Sequence, residues 1–139
     1  MRGSSLRSAI WDREAWENLM SKKIEKAWGY ELVLSSTNLY TLKKLVVNPG
    51  WRCSLHRHRI KDETFICESG YGWVCIENDP VEMQIGVSVR IMPQDWHYFW
   101  CPNSEIKPMV LLEVSTHHSD EDVERNNKSC MLRTSEECE

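Results

Sequence analysis

Residues 50–70 read "GWRCSLHRHRIKDETFICESG": two histidines and a later glutamate, framed by glycines and interleaved with four basic side chains. Successive side chains of a β-strand point to opposite faces, so His56 and His58 project the same way, with Cα atoms roughly 6.5 Å apart. That spacing lets two imidazoles converge on one ion, while Arg57 and Arg59 point to the other face. A short turn at Lys61 and Asp62 returns Glu63 on the adjacent strand as a carboxylate ligand. His97 lies in a separate strand after Pro93, and a barrel can fold it inward as a fourth ligand. Three imidazoles and a carboxylate suit one divalent metal ion (Zn, Mn, Fe, Ni or Co) and leave positions open for a substrate. The competing reading is a solvated basic strand. An H-x-H pair arises often by chance, and a nearby glutamate adds little in a chain with 21 acidic residues.

Length and composition bound the rest. A chain of 139 residues with 41% hydrophobic and 27% charged residues is one globular domain, large enough to bury its own core. A net charge of -4 argues against nucleic acid as a partner. No apolar run reaches bilayer-spanning length, and the N-terminus lacks the apolar stretch of a signal peptide. The six cysteines (53, 67, 75, 101, 130 and 138) form no C-x-x-C pair, and several fall inside apolar runs. They read as reduced, buried thiols of a cytoplasmic protein.

Along the chain, "WDREAWENLMSKKIEKAW" carries helical spacing, with Asp12 as cap and Trp16, Leu19, Met20, Ile24 and Ala27 recurring on one face. After Gly29 come short β-prone runs, among them "YELVLS", "LYTLKKLVVN", "ETFICES", "GWVCIEN", "HYFW" and "MVLLEVS", separated by Pro, Gly and Asn breakers. Strands so short and numerous indicate an antiparallel sandwich or barrel. The expected layout is a helical extension over residues 1–27, a barrel over 28–118, and a polar tail over 119–139. That tail is a loose extension or a lid over one barrel end.

The frame Gly50, five residues, His56-x-His58, four residues, Glu63, six residues, Gly70 resembles the first cupin motif at every spacing. A second cupin motif follows as Gly86, Pro93 and His97, one residue shorter before the histidine and without its usual glycine. The resemblance implies an all-β fold, a single-domain jelly-roll barrel with the metal inside and a short N-terminal helix. It also extends to the cupin domain of type II mannose-6-phosphate isomerases. The matching residues are Trp28-Gly29, Tyr40, Lys43, Lys44, Pro49-Gly50, Ser54-Leu55, Leu112-Glu113-Val114, Glu121-Asp122 and Arg125, spanning Lys26 to Arg125. At His56 that family carries glutamine. Three histidines and a glutamate also resemble the metal ligands of several cupin dioxygenases, and D-lyxose isomerase-like cupins use a site of this general kind.

The resemblance implies a metal-dependent aldose-ketose isomerase acting on a sugar or sugar phosphate through a cis-enediol. Glu113 and Lys43 are its candidate bases, each equally readable as a solvent-facing strand residue. Arg125, with Lys43 or Lys44, is placed to hold a phosphate or hydroxyls at the barrel mouth, or is a free tail residue. Phe65, Trp73 and Phe99 read as core, whereas Trp96 and Trp100 beside the ligand strand are the candidates for a sugar platform. His117 and His118 read as surface residues. The alternatives are a metal-dependent oxygenase and a non-catalytic sugar-binding cupin. A homodimer is expected by analogy with other cupins.

Overall fold

The computed structural model describes residues 22–132, which fold as thirteen short strands in two antiparallel sheets. In chain order these are β1 (Lys22–Lys26), β2 (Gly29–Ser36), β3 (Tyr40–Val47), β4 (Trp51–Arg52), β5 (His56–His58), β6 (Glu63–Ser69) and β7 (Gly72–Ile76). Then follow β8 (Asp79–Met83), β9 (Ser88–Ile91), β10 (His97–Cys101), β11 (Met109–Thr116), β12 (Val123–Arg125) and β13 (Cys130–Met131). One sheet runs β1-β2-β3-β11-β6-β9. The other runs β12-β5-β10-β4-β13, with β7 pairing β10 and β8. The all-β barrel expected from the strand pattern is therefore present, and no helix among the described residues is long and apolar enough to cross a membrane.

Strand alternation divides the interior into two ends. On β3 the inward row is Thr41, Lys43, Leu45, Val47, and on β11 it is Ser115, Glu113, Leu111, Met109. Register sets Leu111 opposite Leu45 and Cys67, and Glu113 opposite Lys43 and Phe65. One half of each row is thus apolar and the other half polar. The apolar halves pack with Val74, Met83, Ile91, Phe99 and Cys101 into the core. Trp28 meets Phe99 edge-on at 4.9 Å between ring centroids, closing that core beneath the polar half.

Three expectations are corrected here. The helical pattern was extended to Ala27, but Lys22–Lys26 form β1, an edge strand paired in register with Gly29–Val33. Pairing to a neighbour overrides local propensity, and three lysines in five residues suit an exposed edge. Residues 11–21 of that pattern lie outside the described residues. The segment after Ser119 is not a loose tail as far as Leu132. A 3-10 turn at Asp120–Asp122 leads into β12, which pairs β5, and β13 pairs β4. Cys53, Cys67, Cys75 and Cys101 are free and buried as expected, whereas Cys130 is disulfide-bonded.

Gly70, which closes the motif, sits at φ +79°, and a Cβ there would lie 2.2 Å from the Pro108 carbonyl oxygen. Backbone, not a flexible side chain, blocks the space. Gly70→Ala is expected to lower the unfolding free energy by about 2 kcal/mol or more, read by urea denaturation. An unchanged midpoint would mean the turn relaxes freely.

Candidate metal centre

His56 and His58 enter from β5 and His97 from the start of β10, where His97 stands opposite His56 in the ladder. All three are buried, and one ligand nitrogen from each lies within 4.8 Å of the others. His56 Nδ1 donates to the Ser54 carbonyl at 2.7 Å, and His97 Nδ1 donates to the Asp95 carbonyl at 2.9 Å. Those bonds fix the tautomer, leaving each Nε2 lone pair for the site. Glu63, at the start of β6, completes the group: Oε1 lies 3.1 Å from His97 Nε2, and Oε2 lies 3.5 Å from His58 Nε2.

The turn before His97 forms without the motif's glycine. Gln94 itself adopts φ +78°, its N–H donating to the His58 carbonyl at 2.7 Å and its side-chain amide to the Arg59 carbonyl. The Asp95 carboxylate accepts from Met92 N–H and closes the turn. Those bonds hold a side-chain-bearing residue in the left-handed region and deliver His97 to the interior.

The donor set fits a metal ion. Burial holds His56 well below the ordinary histidine range and brings His58 down to about 3, so both rings are neutral ligands near pH 7. Glu63 stays ionised: although burial opposes its charge, the Lys61 ammonium beside it holds its carboxyl far below the usual range. Among the described residues, His97 Nε2 is buried without a hydrogen-bond partner, and Glu63 Oε2 is met by the Lys61 ammonium at 3.1 Å. Nitrogen lone pairs converging on an ionised carboxylate make a cation-binding arrangement.

His56, His58 and Glu63 line a cavity of about 380 Å³. Its floor is Trp28, Leu45, Phe65 and Phe99, the upper surface of the core, and its walls carry Glu31, Lys43, Lys61, Glu113, His118 and Arg125. Glu113 and Lys43 therefore point inward, settling the parity that the sequence left open. Lys43 pairs with Glu31 at 3.3 Å, both side chains nearly buried. Burial first, and the Glu63 charge second, push the Glu113 carboxyl above the ordinary glutamate range. Arg125 lies at the rim, Nη1 donating to Ser54 Oγ at 2.7 Å.

Three proposed substrate contacts fall elsewhere. Lys44 points outward from β3 and pairs with Glu68 at 3.0 Å, because its neighbour Lys43 takes the inward position. Trp96 lies on the outer face, with the Arg57 guanidinium 4.7 Å from its ring centre, and lines a separate cavity of about 190 Å³. Trp100 is buried against Trp73 in a stacked pair at 5.9 Å and is no platform in the main cavity.

His117 is exposed as expected, but His118 is not: it lines the cavity, its Nδ1 3.1 Å from Lys61 Nζ and its Nε2 2.9 Å from Asp120 Oδ1. Lys61 was read only as a turn residue. Its side chain is 2% exposed, 3.1 Å from Glu63 and 2.8 Å from Glu113. Asp122 explains how: its carboxylate accepts from the backbone N–H groups of Arg59, Ile60 and Lys61, curling the turn so that Lys61 drops inward. Nothing in the local sequence of the turn carries that information, since Asp122 lies some sixty residues away.

Comparison with known proteins agrees with this architecture. A family model described as a cupin domain matches residues 44–115. A mannose-1-phosphate guanylyltransferase of Sinorhizobium fredii is 24% identical over 100 residues, which is 72% of this chain and 20% of that protein. The chain thus spans about a fifth of that relative's length. Among solved structures, a variant of Streptomyces PAC13 with uridine superposes with a TM-score of 0.67 at 12% identity, covering 78% of this chain and 86% of that one. KdgF from Halomonas sp. gives 0.64 at 10% identity, over 76% and 92% of the two chains. A cupin-2 domain protein of Rhodospirillum rubrum gives 0.67 at 19% identity, over 77% and 76%. At such identities these structures speak for the fold alone.

Proposed function

The chain belongs to the cupin family, and from that premise we propose that it is a metal-dependent isomerase acting on a sugar or sugar phosphate. One observation carries the reading: Glu113, a buried carboxylate with a raised pKa, faces the same cavity as the three-histidine centre and is tied to it through Lys61. Aldose-ketose interconversion needs a base that takes a proton from one carbon and returns it to its neighbour. A desolvated carboxylate is suited to both halves, because it accepts the proton readily and holds it while the substrate rearranges. A divalent ion on His56, His58, Glu63 and His97 would supply Lewis-acid polarisation of the substrate carbonyl.

The chain's own residues account for the remaining steps. Lys61 keeps Glu113 oriented, while the Lys43–Glu31 pair and Arg125 offer donors and acceptors to hydroxyls or a phosphate. The apolar floor shields the reacting carbons from bulk water. Support from relatives is coarser. The guanylyltransferase is named for a sugar phosphate, and PAC13 is described as a nucleoside dehydratase, so polar, sugar-bearing substrates recur among proteins this chain resembles.

The test is an anaerobic assay of aldoses and their phosphates in D2O, with Mn²⁺, Co²⁺, Ni²⁺, Zn²⁺ and Fe²⁺ in turn. Ketose formation with deuterium entering at the carbon next to the carbonyl is expected. Turnover that requires oxygen would instead make this an oxygenase, and loss of water from the substrate would make it a dehydratase.

A further inference from the structure

The Lys61 ammonium is buried between two carboxylates, 3.1 Å from Glu63 Oε2 and 2.8 Å from Glu113 Oε2, and is 2% exposed. Among the described residues no other lysine or arginine forms an ion pair with either carboxylate. Its place is built rather than incidental. Asp122 holds its backbone N–H at 3.0 Å, and the next residue, Asp62, is held by a double contact to Arg90. A long, flexible side chain is thereby committed to one buried position.

Two buried carboxylates without a cation would be costly, since each lost its hydration on folding. A metal ion on the histidines supplies such a cation from outside, whereas Lys61 supplies one from within the chain. We propose that Lys61 is a built-in counterion that stands in for the metal, offsetting part of the charge that Glu63 and Glu113 bring into the interior, so that the barrel folds with its site empty and acquires the ion afterwards. The same ammonium opposes the incoming ion, so it also sets metal affinity below what the ligands alone would give. The ion is accordingly exchangeable rather than a condition of folding. This inference rests on the metal centre described above and is independent of the isomerase chemistry.

The test compares the wild-type full chain with Lys61→Met and Lys61→Arg, each stripped with chelator and then titrated with Co²⁺. Thermal unfolding and Co²⁺ affinity are the readouts. Stripped Lys61→Met is expected to melt about 10–20 °C below stripped wild type. Co²⁺ should raise its midpoint by more than it raises that of wild type, and should bind at least about tenfold more tightly. Lys61→Arg, which keeps the charge, should follow wild type in both readouts. A Met variant that is unfolded when stripped but folds on adding Co²⁺ would be the strongest form of the expected result. Equal metal-induced shifts in wild type and Lys61→Met would overturn the proposal, as would a Met variant that stays unfolded in saturating Co²⁺. Wild type that takes up no Co²⁺ would overturn the metal centre itself, and the inference with it. That failure is told apart because it appears before any variant is compared.

Discussion

His97→Ala and His58→Ala will each weaken binding of a divalent ion by about 100-fold or more, measured by competition with a metal indicator. Even groups that merely orient a ligand are worth 10–100-fold in affinity, so loss of a ligand costs at least the upper part of that range. His97 is the sharper case. It is fully buried, and its Nδ1 is already engaged by the Asp95 carbonyl, so its Nε2 has no role among the described residues other than facing Glu63 and the other two rings. Arg57→Ala is the matched control. It sits between the two histidines on β5 but faces outward to Trp96 and Glu124, so it should leave the affinity within about threefold of wild type. Equal losses at His58 and Arg57 would mean that the strand's parity does not organise the site.

Glu113→Gln is the change expected to separate chemistry from metal binding. Gln is nearly isosteric and still accepts a bond from Lys61, but it cannot take a proton. Turnover should fall by about 10²–10⁴-fold, the ordinary worth of a positioned base. Metal affinity should stay within about tenfold, because Glu113 touches Lys61 and not the histidines. A kcat that persists in Glu113→Gln would move the base elsewhere, with Lys43 the next inward-facing candidate on the neighbouring strand. Loss of metal affinity equal to that of His97→Ala would instead make Glu113 part of the ion's own coordination.

How legible this was depends on which rule governs each residue. Strand alternation is local and strict, so His56 and His58 share a face in the structure as their spacing requires, and Arg57 faces away. The same rule, carried through "YTLKKLVV" and "MVLLEVST", separates Lys43 from Lys44 and turns Glu113 inward, a pairing that a period-two reading of both strands would have found. His97 was harder, because a turn of unusual length precedes it and its rescue depends on Gln94 bonding back to His58 and Arg59.

Residues in turns follow no period. Lys61 is placed by Asp122, and His118 by the chain's exit from β11, so neither has a local signature. The extension of the helical pattern into Lys22–Lys26 failed for a related reason. A short charged segment takes whichever structure a neighbour offers, and β2 offered an open edge. The strands β12 and β13, three and two residues long, are too short to carry any pattern and exist because β5 and β4 present edges to pair with.

The centre made by His56, His58, Glu63 and His97 carries every functional statement above, and one measurement bears on it directly. The stripped wild-type chain should be titrated with Co²⁺ while its visible absorption is followed, together with elemental analysis of the dialysed product. One ion per chain is expected, with ligand-field bands that saturate at one equivalent and vanish in His97→Ala. Absorption that never saturates, or a dialysed protein with no bound ion, would contradict the assignment of this cavity as a metal centre.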